Sequence, residues 1–241
     1  MARAVIPPFG ESRPTPESGN REGEAPSTGR SAAAEQSRSA AADRATPSGS
    51  TGRRRLLTVG HGTLPAEDLA SLLVAAGVSS LVDIRAYPGS RRNPQFGRDV
   101  MADWLPAAGV AYRWEPRLGG RRKASPTSEH VALREPAFRA YADHMATPEF
   151  GRALDDVLAG AAAEPTAIMC SESLWWRCHR RLVADAAALL REVEVVHLLH
   201  DGRRAPHRPT EGVRIDGERG RLVYDVGAEV PLPYDVPGSD G

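Results

Sequence analysis

One short stretch near the middle of the chain carries most of the residue types that could do covalent chemistry. It reads CSESLWWRCHRR over residues 170–181. We predict that a helix begins near its end, where free backbone N–H groups and the helix dipole favour an anion. A thiol beside a histidine and an arginine is favoured as the thiolate, which is the nucleophilic form. Cys170 and Cys178 are therefore candidate nucleophiles or acids, and Glu172 or His179 is the candidate for moving a proton.

The same stretch permits other interpretations. Six residues separate Cys170 from Arg177, one more than the phosphate loop of tyrosine phosphatases allows, so that chemistry is excluded. A zinc site could use both cysteines with His179 and His61, but this spacing matches no standard structural zinc motif. We therefore assign no metal and no cofactor. An isolated cysteine at the end of an apolar strand is also often a small buried apolar residue, and a disulfide is disfavoured in a reducing compartment.

Polar side chains also follow the other predicted strands. His61 comes after the first strand, and Asp83 and Arg85 come at the end of the second. Ligands of open parallel sheets bind at the carboxyl ends of the strands, so we expect these residues to share one pocket with the cysteine stretch. In this pocket Arg85 and Arg180 are the candidate anion-binding residues, because guanidinium groups pair well with phosphate and carboxylate oxygens.

The segment 85–123 is locally basic in a chain whose formal net charge is zero. It holds nine arginine and lysine residues against three acidic ones, with aromatic residues between them. Such a mixture suits nucleotides or single-stranded nucleic acid, through phosphate pairing and base stacking. A solvated surface is the alternative interpretation, and we expect Trp104 and Tyr112 to belong to the core.

Strands and helices alternate along residues 55–202. Strands are predicted at 56–59, 80–84, 110–114, 166–170 and 193–199, and helices at about 65–76, 99–108, 136–146, 148–162 and 177–191. Strands separated by helices imply right-handed crossovers. The expected fold is a single compact α/β domain of Rossmann-like three-layer type, with a largely parallel sheet of about five strands and helices on both faces.

The two ends of the chain differ from this domain in composition. Residues 1–54 are rich in Ser, Pro, Gly, Ala and Arg, so we predict a disordered tail. Residues 203–241 form a polar extension with a possible hairpin at 213–226. No apolar run approaches the roughly 18 residues of a membrane span, and no signal-peptide core is present. We therefore expect a cytoplasmic protein without a membrane partner, of undetermined oligomeric state.

Several motifs occur together in an order that resembles a known family. They are TVGH at 58–61, VDIR at 82–85 with Pro88 and Ser90, Phe96, LGG at 118–120, CSE at 170–172 and CHR at 178–180. This combination is similar to the bacterial and archaeal family called domain of unknown function 488, over about residues 55–202. The resemblance implies a compact α/β domain and implies site residues at His61, Asp83, Arg85, Cys170, Glu172, Cys178, His179 and Arg180. Ser90, which belongs to the same motifs, is a further candidate for binding the anion. It implies no particular reaction.

Three hypotheses about function follow. The first is an enzyme that acts on an anionic substrate, a nucleotide or nucleic-acid component, by hydrolysis or group transfer. The second is a non-catalytic nucleic-acid-binding module that uses the segment 85–123 as its contact surface. The third is a redox or metal sensor that uses both thiols.

Overall fold

The computed structural model describes residues 54–89, 91–123 and 125–227. The strands are β1 (Arg55–Gly60), β2 (Ser80–Asp83), β3 (Ala111–Trp114), β4 (Thr166–Cys170), β5 (Glu194–Leu198), β6 (Arg204–Pro206), β7 (Val213–Asp216) and β8 (Arg221–Tyr224). The helices are α1 (Ala66–Ala75), α2 (Arg98–Ala107), α3 (Pro136–Met145), α4 (Pro148–Ala163) and α5 (Arg180–Arg191). Short 3₁₀ turns lie at Pro94–Phe96, Pro116–Leu118 and Trp175–Arg177.

Six strands form one sheet in the order β3-β2-β4-β1-β5-β6. The first five are parallel to their neighbours, which confirms the predicted parallel sheet. The sixth strand, β6, runs antiparallel to β5 and forms an edge. In this register Gly60 at the end of β1 lies opposite Cys170 at the end of β4. The loops that follow β1 and β4 therefore begin side by side.

Each face of the sheet has its own apolar core. Alternate residues of the strands, such as Leu57 and Met169, pack with α1 and α2 on one face. Their neighbours, such as Leu56 and Ile168, pack with α3, α4 and α5 on the other face. Side chains alternate across a strand and helices cover both faces of the sheet, so a central strand such as β4 is buried at every position. The predicted three-layer arrangement is confirmed.

A crevice opens at the carboxyl edge because adjacent strands send the chain to opposite faces. The connection after β2 leads to α2 on one face, and the connection after β4 leads to α5 on the other. β2 and β4 are neighbours in the sheet, so their following loops diverge. Crevices of this kind are the usual ligand sites of open α/β sheets.

One helix boundary differs from the sequence prediction for a local reason, and two others are confirmed. The last helix begins at Arg180 and not at 177, because Trp175–Arg177 forms its own 3₁₀ turn and Cys178 then has extended backbone. The predicted helix ends at Gly77 and Gly109 are confirmed by positive φ angles of 75° and 80°, a conformation that glycine adopts without strain.

The hairpin predicted near residues 213–226 is present as β7 and β8. Leu222 and Tyr224 of β8 are buried in the core formed with α3, α4 and α5. The predicted N-terminal tail, apart from Arg54, lies outside the described residues, and so does Ser90. Among the helices described, none has the length and apolar character needed to cross a membrane.

Candidate functional site

The two cysteines lie side by side at the carboxyl end of β4. Cys170 is the last residue of that strand, and Cys178 comes two residues before α5; their exposed fractions are 1% and 4%. The two thiols border the same cavity, lie close enough to influence each other's ionisation and are not joined by a disulfide. The backbone N–H of Arg180 in the first turn of α5 donates to Cys178 Sγ at 3.4 Å. The pair is therefore held at the start of a helix of 12 residues, where negative charge is favoured.

Arg180 is a buried cation directly behind this thiol pair. Its side chain is only 1% exposed. Its Nη2 donates to the carbonyl oxygens of Glu172 at 3.2 Å and Ser173 at 3.3 Å, while Nε and Nη1 have no partner in the described part of the chain. No carboxylate among the described residues pairs with this guanidinium. Its charge is thus balanced by no acidic side chain.

The electrostatic consequence differs between the two thiols. Burial opposes ionisation of Cys170, but the neighbouring Cys178 and the charge of Arg180 together bring the pKa of Cys170 below its ordinary value. Burial and the neighbouring Cys170 raise the pKa of Cys178 well above its ordinary value. Ionisation of the pair is therefore favoured at Cys170 over Cys178.

His179 completes the contacts around the thiols. Its Nε2 lies 3.1 Å from the backbone oxygen of Ile84 and can only donate to it. Its Nδ1 is then unprotonated and faces Cys178 Sγ at 3.5 Å. Burial lowers the pKa of His179 to about 4, so the ring is neutral near pH 7. It ties the thiol pair to the end of β2.

A cavity of about 680 Å³ lies above the thiols, in the crevice between the loops after β2 and β4. Its volume falls in the usual range of small-molecule sites. Tyr87 is 74% exposed, and the Arg121 guanidinium lies over its ring at 5.9 Å. The wall is formed by Arg85, Ala86, Tyr87, Gly89, Gly120, Arg121, Ala137, Phe138, Tyr141, Cys170, Ser171, Glu172, Arg177, Cys178 and His179.

A second group of predicted site residues lies on the opposite face of the sheet. Asp83 accepts two hydrogen bonds from the Arg85 guanidinium, at 2.8 and 2.5 Å, and one from the Tyr112 hydroxyl at 2.8 Å. Arg85 Nη1 lies 3.2 Å from His61 Nε2, and His61 Nδ1 is 2.9 Å from the oxygen of Gly62. Burial, followed by the charge of Arg85, lowers the pKa of His61 to about 4. These groups satisfy one another and hold the end of β2 in place.

The structure thus divides the predicted site residues. Four of them, Cys170, Glu172, Cys178 and His179, border the cavity, and Arg85 reaches it from the second group. Arg180 lies behind the thiols and does not line the cavity. Trp104 belongs to the core as predicted, whereas Tyr112 is only half-buried. The Tyr112 hydroxyl donates a hydrogen bond to Asp83, and this polar contact holds the tyrosine ring at the edge of the core.

Glycines allow the loops of the site to approach one another closely. A Cβ on Gly119 would lie 2.7 Å from the Cα of Ala86, and a Cβ on Gly120 would lie 3.0 Å from His179 Nδ1. A Cβ on Gly60 would collide with the backbone oxygen of Glu172. Close backbone packing therefore explains the glycines of the Leu118-Gly119-Gly120 motif. Sequence reasoning did not identify this role, although a glycine pair after a strand often marks such a close approach.

Sequence reasoning also missed a buried polar chain that supports the loop between the two cysteines. Thr58 Oγ1 lies 2.7 Å from His197 Nδ1, His197 Nε2 lies 3.0 Å from His207 Nδ1, and His207 Nε2 lies 2.8 Å from Asp185. Trp175 of the loop stacks on His197 with ring centroids 4.0 Å apart. These residues are far apart in sequence, and no local pattern links them.

Comparison with known proteins gives one match. The model of the family described as domain of unknown function DUF488 covers residues 65–187, about half of the chain. The chain belongs to this family. The DUF488 match includes Asp83, Arg85 and the whole cysteine stretch, whereas His61 lies just before it. No curated protein and no solved structure matches the chain significantly.

Proposed function

We propose that this protein is an enzyme in which the Cys170 thiolate is the nucleophile toward an anionic substrate bound in the cavity. The observation that carries the proposal is the buried Arg180 guanidinium, which has no acidic partner among the described residues. An unpaired buried cation costs several kcal/mol. A thiolate on the adjacent Cys170 removes that cost, and the same charge lowers the pKa of the thiol. Lowered thiol pKa values are typical of reactive cysteines.

The composition of the cavity wall supports a nucleotide or nucleic-acid component as the substrate. Arg121 and Arg177 bring positive charge to the wall, and Tyr87 offers an exposed ring beside Arg121. Guanidinium groups bind phosphate oxygens, and an aromatic face stacks on a base. A reactive dithiol also needs a reducing compartment, so the proposal includes a cytoplasmic location.

The reaction class is hydrolysis or group transfer through a covalent intermediate. Cys170 Sγ attacks the electrophilic centre, a new bond to sulfur forms, and the leaving group departs with its electron pair. Glu172, exposed at the cavity wall, can then take a proton from the incoming water or acceptor. His179 and Cys178 also line the cavity and position the nucleophile.

The direct test is the pH dependence of alkylation of each thiol in the full-length protein, followed by mass mapping. Cys170 should react with a midpoint below the ordinary value of about 8.5, and Cys178 should react slowly. Cys170→Ser should then abolish turnover of any nucleotide substrate found by screening, while Cys178→Ser retains part of it. Two thiols that both titrate near or above the ordinary value would overturn the proposal.

A binding module for single-stranded nucleic acid is the second candidate, favoured by exposed aromatic rings near the cavity. Tyr87 is 74% and Trp176 is 46% exposed. This candidate predicts salt-dependent binding of an oligonucleotide, weakened by Arg121→Gln and unchanged by Cys170→Ser. Arg203→Gln, in the turn after β5 and paired there with Asp201, is the matched control. Binding without any dependence on Cys170, together with no turnover, would favour the module over the enzyme.

A further inference from the structure

The thiol pair has a second chemical capacity, which nucleophilic catalysis does not use. Only two cysteines exist in the chain, and the structure places both on the wall of one cavity. Ionisation is favoured at one of them and opposed at the other. This is the arrangement of an attacking thiol and a resolving thiol. A substrate nucleophile alone needs no second cysteine at this distance.

We propose that Cys170 and Cys178 form a reversible disulfide when a small hydroperoxide enters the cavity, and that this disulfide switches the site off. The switching role rests on the proposed function, because it removes the nucleophile. Formation of the disulfide itself rests only on the two thiols and the space above them.

The chemistry proceeds in two balanced steps. First, the Cys170 thiolate attacks one oxygen of hydrogen peroxide, an S–O bond forms, the O–O bond breaks, and hydroxide leaves. Second, Cys178 Sγ attacks the sulfur of the resulting sulfenic acid, the S–S bond forms, the S–O bond breaks, and the departing hydroxide takes the Cys178 proton as water. Two thiols are oxidised and one peroxide is reduced to two waters.

Burial makes the proposed oxidation selective. The two cysteines are only 1% and 4% exposed, but both line the cavity. A molecule as small as hydrogen peroxide can therefore reach the sulfur atoms, whereas a second protein cannot. Rapid resolution by the adjacent Cys178 also protects Cys170 from further, irreversible oxidation. Oxidation removes the negative charge beside Arg180, whose Nη2 holds the backbone of Glu172 and Ser173. We therefore expect the loop 171–177 to become more accessible in the oxidised form.

The experiment treats the full-length protein with hydrogen peroxide and follows its intact mass. Wild type should lose the mass of two hydrogen atoms and regain it with dithiothreitol. Cys178→Ser should instead gain one or more oxygen atoms at Cys170, and Cys170→Ser should stay unmodified. The native disulfide should form about tenfold faster or more than in the guanidinium-unfolded chain, where the Cys170 thiol has its ordinary pKa. Thermal unfolding of each variant checks that it is folded.

The outcomes separate the two proposals. Oxygen addition without a disulfide in the wild type, or equal rates in the folded and unfolded chains, would overturn the disulfide inference. If Cys170 still alkylates below its ordinary pH range in that case, the proposed enzyme is unaffected. Conversely, the disulfide could form rapidly in the wild type while the Cys170→Ser variant retains turnover. In that case the thiol pair is a redox site, and Cys170 is not the catalytic nucleophile.

Discussion

At the level of single residues, the proposed chemistry depends on Arg180. Its guanidinium is buried, is anchored by two carbonyl oxygens and lies beside a thiol. A carboxylate in the place of that thiol would make an ordinary buried ion pair, as Asp83 does for Arg85 on the other face. The two arginines therefore differ: Arg85 closes a structural network with a carboxylate, whereas Arg180 is proposed to activate a sulfur atom.

Replacement of Arg180 should raise the pKa of Cys170. In Arg180→Leu the cation is absent, so the alkylation midpoint of Cys170 should rise by about one pH unit or more, which is about a tenfold loss of reactivity at pH 7. Arg180→Lys keeps the charge and should lie between this variant and wild type, which keeps the test valid if the leucine variant does not fold. Arg152→Gln changes an exposed arginine of α4 and is the control. An unchanged Cys170 midpoint in both Arg180 variants would mean that Arg180 does not activate the thiol.

At the level of elements, the site depends on close backbone approach between loops from β2, β3 and β4. Gly119 packs against the backbone of Ala86, and Gly60 packs against the backbone of Glu172. Backbone atoms cannot rotate away as a side chain can, so any added methyl group must move a loop. The dimensions of the cavity therefore depend on glycines that contribute no functional group.

A methyl group at Gly119 should therefore destabilise the protein and disturb the site. Gly119→Ala places a Cβ 2.7–2.9 Å from atoms of Ala86, and forced displacement of this kind typically costs about 1–3 kcal/mol. Gly151→Ala in α4 meets no atom within 4 Å and should stabilise the helix by roughly 0.5–1 kcal/mol. Urea unfolding measures both free energies. Equal stability of the two variants would show that the loops tolerate the Cβ.

At the level of the whole molecule, buried neutral histidines connect elements that are distant in sequence. His61 joins the end of β1 to that of β2, His179 joins the start of α5 to β2, and His197 joins β5 to β1. Burial is the largest cause that lowers the pKa of each, to about 4 for His61 and His179 and to about 3 for His197. Each ring is therefore neutral in the folded protein at a pH where the unfolded chain is already protonated.

The free energy of unfolding should consequently decrease on acidification, at pH values above those at which carboxylates usually titrate. Above pH about 6.5 both states hold these histidines neutral, and no stability is lost. As the pH falls from there towards about 4, only the unfolded state takes up protons, at up to about 1.4 kcal/mol per pH unit for each histidine. Urea unfolding at pH 7, 6 and 5 measures this slope. A free energy of unfolding that stays constant over this interval would contradict the predicted neutral state.

Periodicity and strand-end composition were sufficient to predict the five parallel strands, the two layers of helices and the cysteine stretch, because each of these features is local in the chain. The sequence alone could not show that Asp83 neutralises Arg85, that Arg180 has no acidic partner among the described residues, or that Trp175 rests on His197. The residues in each of these relations are close in the chain, but their contacts depend on side-chain direction and burial, which the strand order and the loop paths decide. The residue types of the proposed chemistry were visible in the sequence, whereas their charge states depend on burial and on partners that only folding supplies.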